Sequence, residues 1–593
     1  MIAIVTEKPL LAKEIARIVG ATKREMGCMS GNGYMVTWTL GHLITLAMPK
    51  EYGMARTGAD ALPILPSWFL QTVRQVKSSD GWVTDSVAVR RLKVISSLFD
   101  KCDSIIVATD SSREGEYVFR SIYQYLGCKK KFSRLWLTSL TDEAITRALE
   151  NLKPGKEYDN LYHAADCRAK SDWLLGVNAS QALSVVSGVG NHSLGRVQTP
   201  VLAAICERYK ENRGFISEPC WQFNLMLGKG NRTRLFHHTE ELHEKETAEQ
   251  LYQLFKGISQ AFITEVKTEK EEWQPPMLYN LTDLQRDANL YLGLTADRTL
   301  SIAQSLYEKK LITHPKTAGR YIPQDVFTQM PFLLKRIVGI QEFRHYRGRI
   351  NMDALSIRLT DDSKAMGHHA LITTGVIPEG LSKDEKRLFQ LIAGRMLEAF
   401  SKPYAKEVTT IEAECNGQTF RSRSYTVITG GWRHVFGRKA EREKEDILQN
   451  LLTPSFSEGE SVPVSGFGLA GKKRMPPPLH TDATLLETME KSGLGTPATR
   501  ANIIQTLIER EYIDRHGNSL VPTEKGLFIY QSVRNMSIAD ASMTALWEQD
   551  LEQIEEGMLF SREFMRQTVR YTRRIIKEVL ALNFRSYGKS SEK

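Results

Sequence analysis

The chain has no pair of cysteines placed to clamp a metal. Its seven, Cys28, Cys102, Cys128, Cys167, Cys206, Cys220 and Cys415, stand singly and no CxxC occurs, so neither a zinc ribbon nor a disulfide framework is expected. No apolar run approaches the length that crosses a bilayer, so no membrane partner is expected either. The opening MIAIVTEK has neither the basic start nor the long apolar core of a secretory signal, and the expected location is cytoplasmic. Internal repeats and long low-complexity tracts are also missing. What is present is ordinary globular composition, 41% hydrophobic and 25% charged over 593 residues, enough for roughly three to five domains. Lys and Arg number 79 against 69 acidic residues, a net charge of +10, which favours a polyanionic partner.

The densest local signal is Ser104 to Arg120, SIIVATDSSREGEYVFR, where a β-branched apolar run ends on Asp110 and a helix opens near Glu114. Carboxylates then lie at the carboxyl end of a strand, where α/β sheets place ligands. The first strand, Ile2 to Val5, delivers Glu7 in the same way. Glu7, Asp110, Glu114 and Glu116 can therefore converge as hard oxygen ligands of the kind that suit Mg²⁺. The alternative is an N-cap Asp followed by first-turn Glu residues that favour the helix dipole.

Strand and helix patterns alternate to about residue 150, then the period becomes helical from Tyr158 to Asn212. Short alternating strands follow between Cys220 and Thr268, broken by a helix at Lys245 to Phe255, and return in EVTTIEAECNGQTFRSRSYTVITGGW. These two β-rich stretches can pair as one domain around a mainly helical block, Asn280 to Phe400. The charged run Arg438 to Glu445 reads as a solvated loop or helix face, and Pro476 to Pro478 precede a helical end. The last helix carries Arg562, Arg566, Arg570, Arg573 and Lys577 at spacings of three and four, a basic stripe that is either simply solvated or a DNA contact.

Several of these stretches together resemble the type IA DNA topoisomerases, in particular the bacterial topoisomerase III branch. TDSSREGE resembles the acidic loop of that family's Toprim domain. HSLGRVQTPVLAAICERY resembles its SxGRVQ helix, TMEKSGLGTPATRANIIQTL its GLGTPATR segment, and GHHALITTG its HHAIIPTG segment. PPMLYNLTDLQRDANLYLGLTADRTLSIAQSLYEKKLIT resembles the approach to its nucleophile, and PTEKG closes the series. Such motifs in the family's order span nearly the whole chain.

The resemblance implies a multidomain α/β plus α plus β architecture, with a Toprim domain and a toroidal core. The implied division is a Toprim domain at 1–152, a helical strand-binding domain at 153–215 plus 470–593, a β-rich gate at 216–278 plus 401–469, and a helical domain at 279–400. It implies an isomerase that cuts one DNA strand, keeps the 5′ phosphate covalently, and reseals after strand passage. Single-stranded DNA is then the partner, a helicase is a further partner of the kind the family admits, and Mg²⁺ is the cofactor. Carried over by residue, Glu7, Asp110 and Glu114 form the acidic metal-binding centre. Lys8 lies against the scissile phosphate or leaving oxygen, and His368 hydrogen-bonds that phosphate. Arg196 and Gln198 hold the strand, with Arg168, Ser193, Thr496, Thr499 and Arg500 as further DNA contacts.

The chain departs from the family pattern at its chemistry. Where the family reads approximately LITYPRTDSRYIP, residues Leu311 to Pro323 read LITHPKTAGRYIP. His314 stands at the nucleophile position, Lys316 replaces an arginine, and Ala318 and Gly319 replace Asp-Ser. Ser112 takes the second Asp of the family's DxD, Gly367 replaces an acidic residue, and Thr373 replaces a proline. Loss of a nucleophile can cost on the order of a millionfold in rate. Imidazole is itself able to form covalent intermediates. Lys316 keeps a charge but not arginine's planar grip on phosphate. Two readings therefore stand: an isomerase with an altered nucleophile, and a single-stranded DNA-binding paralogue that does not cut. A Toprim nuclease or primase would leave GRVQ, HHALI and GLGTPATR unexplained.

Overall fold

The computed structural model describes residues 1–54, 58–78, 81–137, 140, 142–188, 192–352, 355–365, 369–436 and 454–582. The run Arg438 to Glu445 lies outside them, as do His368 and Gly367.

The amino-terminal region is built on a seven-stranded sheet with Ile2–Thr6 at its centre. This strand runs parallel to Ser104–Ala108 on one side and to Tyr34–Trp38 on the other, with Thr6 opposite both Ala108 and Trp38. A parallel strand buried on both faces must be apolar throughout. Ala3, Ile4, Val5, Ile105, Ile106 and Val107 are accordingly all buried. The register matters for chemistry: the loops after Thr6, Ala108 and Trp38 leave the same edge of the sheet side by side.

The two alternating β stretches meet in one closed barrel. Its circuit is Pro219–Lys229, Arg232–His238, Gln418–Thr429, Tyr404–Cys415, Gln260–Trp273 and Ser461–Lys473. Phe223, Phe236, Phe255 and Phe420 fill it. Asn416 and Gly417, both with positive φ (52° and 70°), turn Tyr404–Cys415 into Gln418–Thr429, the conformation that a two-residue hairpin with native twist requires. Trp273 and Tyr404 are register partners. The chain between them leaves the barrel, forms helices Leu281–Leu292, Ala296–Glu308, Met330–Gly339 and Lys383–Ala399, and returns. Asn280, Thr295 and Ser382 cap three of these helices through their side chains, each satisfying amide groups the helix itself cannot.

A further group of helices shares one core. Asp159–Ser187 and Gln198–Arg213 pack with Pro497–Glu509, Ala541–Glu555 and Ser561–Leu580 around Leu175, Leu202, Ile504, Trp547, Leu551 and Ile575. Among the described residues no helix is long and apolar enough to cross a membrane.

Candidate nucleic-acid site and cutting centre

Glu7 and Asp110 emerge together because their strands are parallel neighbours. Asp110 does not cap the following helix. Ser112 does, its hydroxyl accepting from the Gly115 amide at 3.1 Å. The helix Arg113–Tyr125 then packs so tightly on the loop that a Cβ at Gly115 would lie 1.9 Å from the Asp110 carbonyl oxygen. That approach explains the glycine between the two glutamates. Arg134, fully buried, donates to the carbonyls of Val107 (3.0 Å), Thr109 (2.9 Å) and Asp110 (2.6 Å). Its Nε also lies 3.1 Å from Glu116. The expected convergence of Glu116 with the other acids is thus corrected: Glu116 is buried between Arg134 and Arg120 as an internal counter-charge.

His314 reaches the same rim from the helical region. An isolated bridge pairs Ile312 with Thr373, and the Thr313 amide donates to Ile372 at 2.9 Å. The imidazole is 4% exposed and stands edge-on to Tyr307, centroids 5.2 Å apart. Its Nε2 is 3.7 Å from Asp110 Oδ2. Burial works to raise the Asp110 pKa, but His314, Lys316 and Lys8 outweigh it and hold the carboxyl well below the usual range. Glu7 moves the other way. Burial first, and the Asp110 charge second, push it up to about 7 against the pull of Lys316 and Lys8.

The other charges at the rim have partners of their own. Lys8 Nζ donates to Glu308 at 3.1 Å, at the end of Ala296–Glu308. Glu114 accepts from Arg168 at 3.2 Å. Lys310 pairs with Glu14 at 2.7 Å and Arg147 with Asp325 at 2.9 Å, extending a charged seam between the sheet region and the helical region.

Beside this rim the long helix Asp159–Ser187 forms one wall of a cleft of about 910 Å³. Arg168, Ser193, Arg196, Gln198, Thr499 and Arg510 line it. The Arg196 side chain is only 2% exposed, held by Asp172 at 2.9 Å and Glu548 at 3.0 Å above the Trp547 ring. Burial opposes its charge, but Asp172 and Glu548 prevail and raise its pKa. Gln198 accepts from Arg510 and donates to Ser193 Oγ at 3.3 Å. The Ser193 amide in turn donates to the Tyr512 hydroxyl at 2.7 Å. The cleft is therefore lined by amide and guanidinium groups of fixed orientation, the kinds of group that contact phosphate backbones.

A Toprim domain family model matches residues 2–140, and a DNA topoisomerase family model matches residues 156–566. The chain belongs to the type IA DNA topoisomerases. It is 32% identical to DNA topoisomerase 3 of Bacillus subtilis over 97% of this chain and 81% of that one. It is also 32% identical to DNA topoisomerase 3 of Shouchella clausii over 100% and 83%. Full-length topoisomerase I from Thermotoga maritima shares the fold, with a TM-score of 0.73 and 22% identity over 97% of this chain and 90% of that one.

Within this topoisomerase fold, Glu7, Lys8, Asp110, Glu114, His314 and Lys316 gather around the rim, and Arg168, Ser193, Arg196, Gln198 and Thr499 along the cleft. Two DNA-contact candidates have partners inside the fold. Thr496 forms a capping box with Thr499 at the start of Pro497–Glu509. Arg500 is buried and donates to the Leu494 carbonyl at 3.2 Å and to Thr282 Oγ1 at 2.9 Å.

Sequence reasoning missed Asp172, Glu548 and Arg510, which orient the cleft donors, and His42. Asp172 lies one helical turn beyond Arg168, a spacing that could have flagged it. His42 is exposed on the loop after Tyr34–Trp38, close enough to Glu114 to feel its charge. Its signal was its place beyond the carboxyl end of a third parallel strand. Glu548 carries no local signal.

Proposed function

We propose that this topoisomerase-family chain holds single-stranded DNA in the cleft and does not cut it by the tyrosine route. The observation that carries the reading is the 3.7 Å approach of the His314 imidazole to Asp110. A nitrogen base stands at the nucleophile position, and it faces the carboxylate rather than an open phosphate site. The pairing of Lys8 with Glu308 and of Glu114 with Arg168 supports the same reading. Among the described residues of the set that the family resemblance gives to the cutting reaction, Lys8, Asp110 and Glu114 each face a side chain of the protein itself.

The donor set that would hold Mg²⁺ is reduced to two carboxylates, a number such an ion accepts beside substrate phosphates. Among the described residues no three His, Cys, Asp or Glu side chains form a group that could hold a metal. Glu114 is turned onto Arg168, and Ser112 brings a helix-capping hydroxyl in place of a carboxylate. Glu7 and Asp110 remain, with Lys316 and Lys8 acting on both. DNA binding in a cytoplasmic setting, with a helicase delivering the single strand, completes the proposal.

A second reading is favoured by Glu7, whose carboxyl is pushed up to about 7 and can hold a proton near neutral pH. In that reading a His314 nitrogen attacks phosphorus, the P–N bond forms as the P–O3′ bond breaks, and the 3′ oxygen takes the proton from Glu7.

One experiment separates the two. The purified chain is incubated with a 3′-labelled single-stranded oligonucleotide, denatured and resolved. Binding without protein-linked label supports the first reading. Label that stays with the protein, is lost in acid and disappears in His314→Ala replaces it with the second.

A further inference from the structure

The geometry points to a second DNA-binding surface, on the terminal helix Ser561–Leu580, that takes the phosphate backbone of a duplex outside the cleft. The helix buries Phe564, Thr568, Thr572, Ile575, Ile576 and Val579. Arg562, Arg566, Arg570, Arg573 and Lys577 are all exposed. At 3.6 residues per turn these five fall within an arc of about 80°, and they span about 22 Å along the axis. The buried face is centred on the opposite side.

The two acids of the helix do not neutralise this row. Glu563 pairs with Arg566 at 3.3 Å, and Glu578 with Arg574, which lies off the row, at 2.8 Å. Among the described residues no ion pair is formed by Arg562, Arg570, Arg573 or Lys577. Four like charges in line repel one another, and a polyanion laid along them relieves that repulsion while releasing its own counter-ions.

The chemistry favours a duplex over a single strand. Single-strand surfaces interleave cations with exposed aromatic rings on which bases stack. The only aromatic side chains of this helix, Phe564 and Tyr571, both pack against Trp547. The row therefore offers charge and no stacking platform. It also lies apart from the cleft. The Ser561 carbonyl is 3.9 Å from Cys167 Sγ on one side of the long helix Asp159–Ser187, whereas Asp172, Gly176 and Ser180, which line the cleft, fall on the opposite side of that helix at 3.6 residues per turn.

The test uses the full chain and the variant R562Q/R570Q/R573Q/K577Q, with a blunt duplex of arbitrary sequence and an oligo-dT strand as probes across a salt series. Glutamine keeps helix propensity at exposed positions, and matching melting temperatures verify the fold. On the duplex, the slope of log affinity against log salt should fall by about 3.6, roughly 0.9 for each charge removed. Oligo-dT binding should be unchanged. The variant R562K/R570K/R573K, which keeps every charge, should retain the original slope. An unchanged duplex slope in the glutamine variant overturns the proposal. So does a fall confined to oligo-dT, which would assign the row to the single strand. Failure of the cleft reading would show instead as weak oligo-dT binding by the unaltered chain.

Discussion

The cleft and the cutting centre lie side by side and share Arg168, yet they handle charge in opposite ways. In the cleft, Asp172 from the lining and Glu548 from within the wall grip Arg196 and fix its orientation. At the centre, side chains meet across the seam, the His314 imidazole beside Asp110 and Lys8 on Glu308. The first arrangement fixes side chains in the wall of the cleft. The second sets Lys8 and Asp110 against partners in the helical region. The side chains that fix Arg196 in the wall of the cleft are distinct from those that meet at the centre.

The most severe way to break this contrast is to rebuild the centre. His314→Tyr combined with Ser112→Asp restores a phenol and one lost carboxylate. Because loss of a nucleophile costs on the order of a millionfold, covalent adduct with a 3′-labelled strand should rise by several orders of magnitude. Oligonucleotide affinity should stay where it was. Absence of any adduct would show that the defect extends beyond these two positions.

A smaller effect is expected in the cleft wall. Burial opposes the charge of Glu548, but Arg168, Arg196 and Arg113 hold its pKa at about 2, below its ordinary 4.5. A depressed carboxyl stabilises the fold fully above 4.5 and loses that contribution as pH falls from 4.5 towards 2. The size is on the order of 3 kcal/mol. Glu548→Gln should lower stability at neutral pH by about that much, weaken oligonucleotide binding, and flatten the acid limb of a denaturation series. A variant with unaltered acid sensitivity would remove Glu548 from the account. The smallest effect sharpens the comparison from the other side. Chelation of Mg²⁺ should leave single-strand affinity unchanged, because guanidinium and amide groups supply the cleft's donors; a marked loss would tie holding to a metal.

Much of this arrangement was legible in the residues, for identifiable reasons. A β-branched run ending on Asp110 and another ending before Glu7 mark adjacent parallel strands, and strand ends in an α/β sheet share an edge. The face taken by Glu116 was readable in principle. Two residues along a helix is a rotation of about 200°, so Glu114 and Glu116 cannot both look outward. Alternation betrayed the barrel strands but not their circuit, since a period of two names a face and never a neighbour. Arg500 sits in a motif rich in polar residues, and nothing local indicates that its helix turns it onto Thr282. Glu548 was beyond reach for another reason: its partners Arg113 and Arg196 lie hundreds of positions away in the sequence.

The pairing of Trp273 with Tyr404 sets how the region bearing His314 is attached. The whole excursion from 274 to 403 departs and rejoins at one rung of the barrel, where neighbouring strands are only about 5 Å apart. To the barrel it is a hairpin loop grown to the size of a module. Its length and contents can change without asking any strand to shift, so the position of imidazole against carboxylate is governed by the seam it docks on and not by the stem it hangs from.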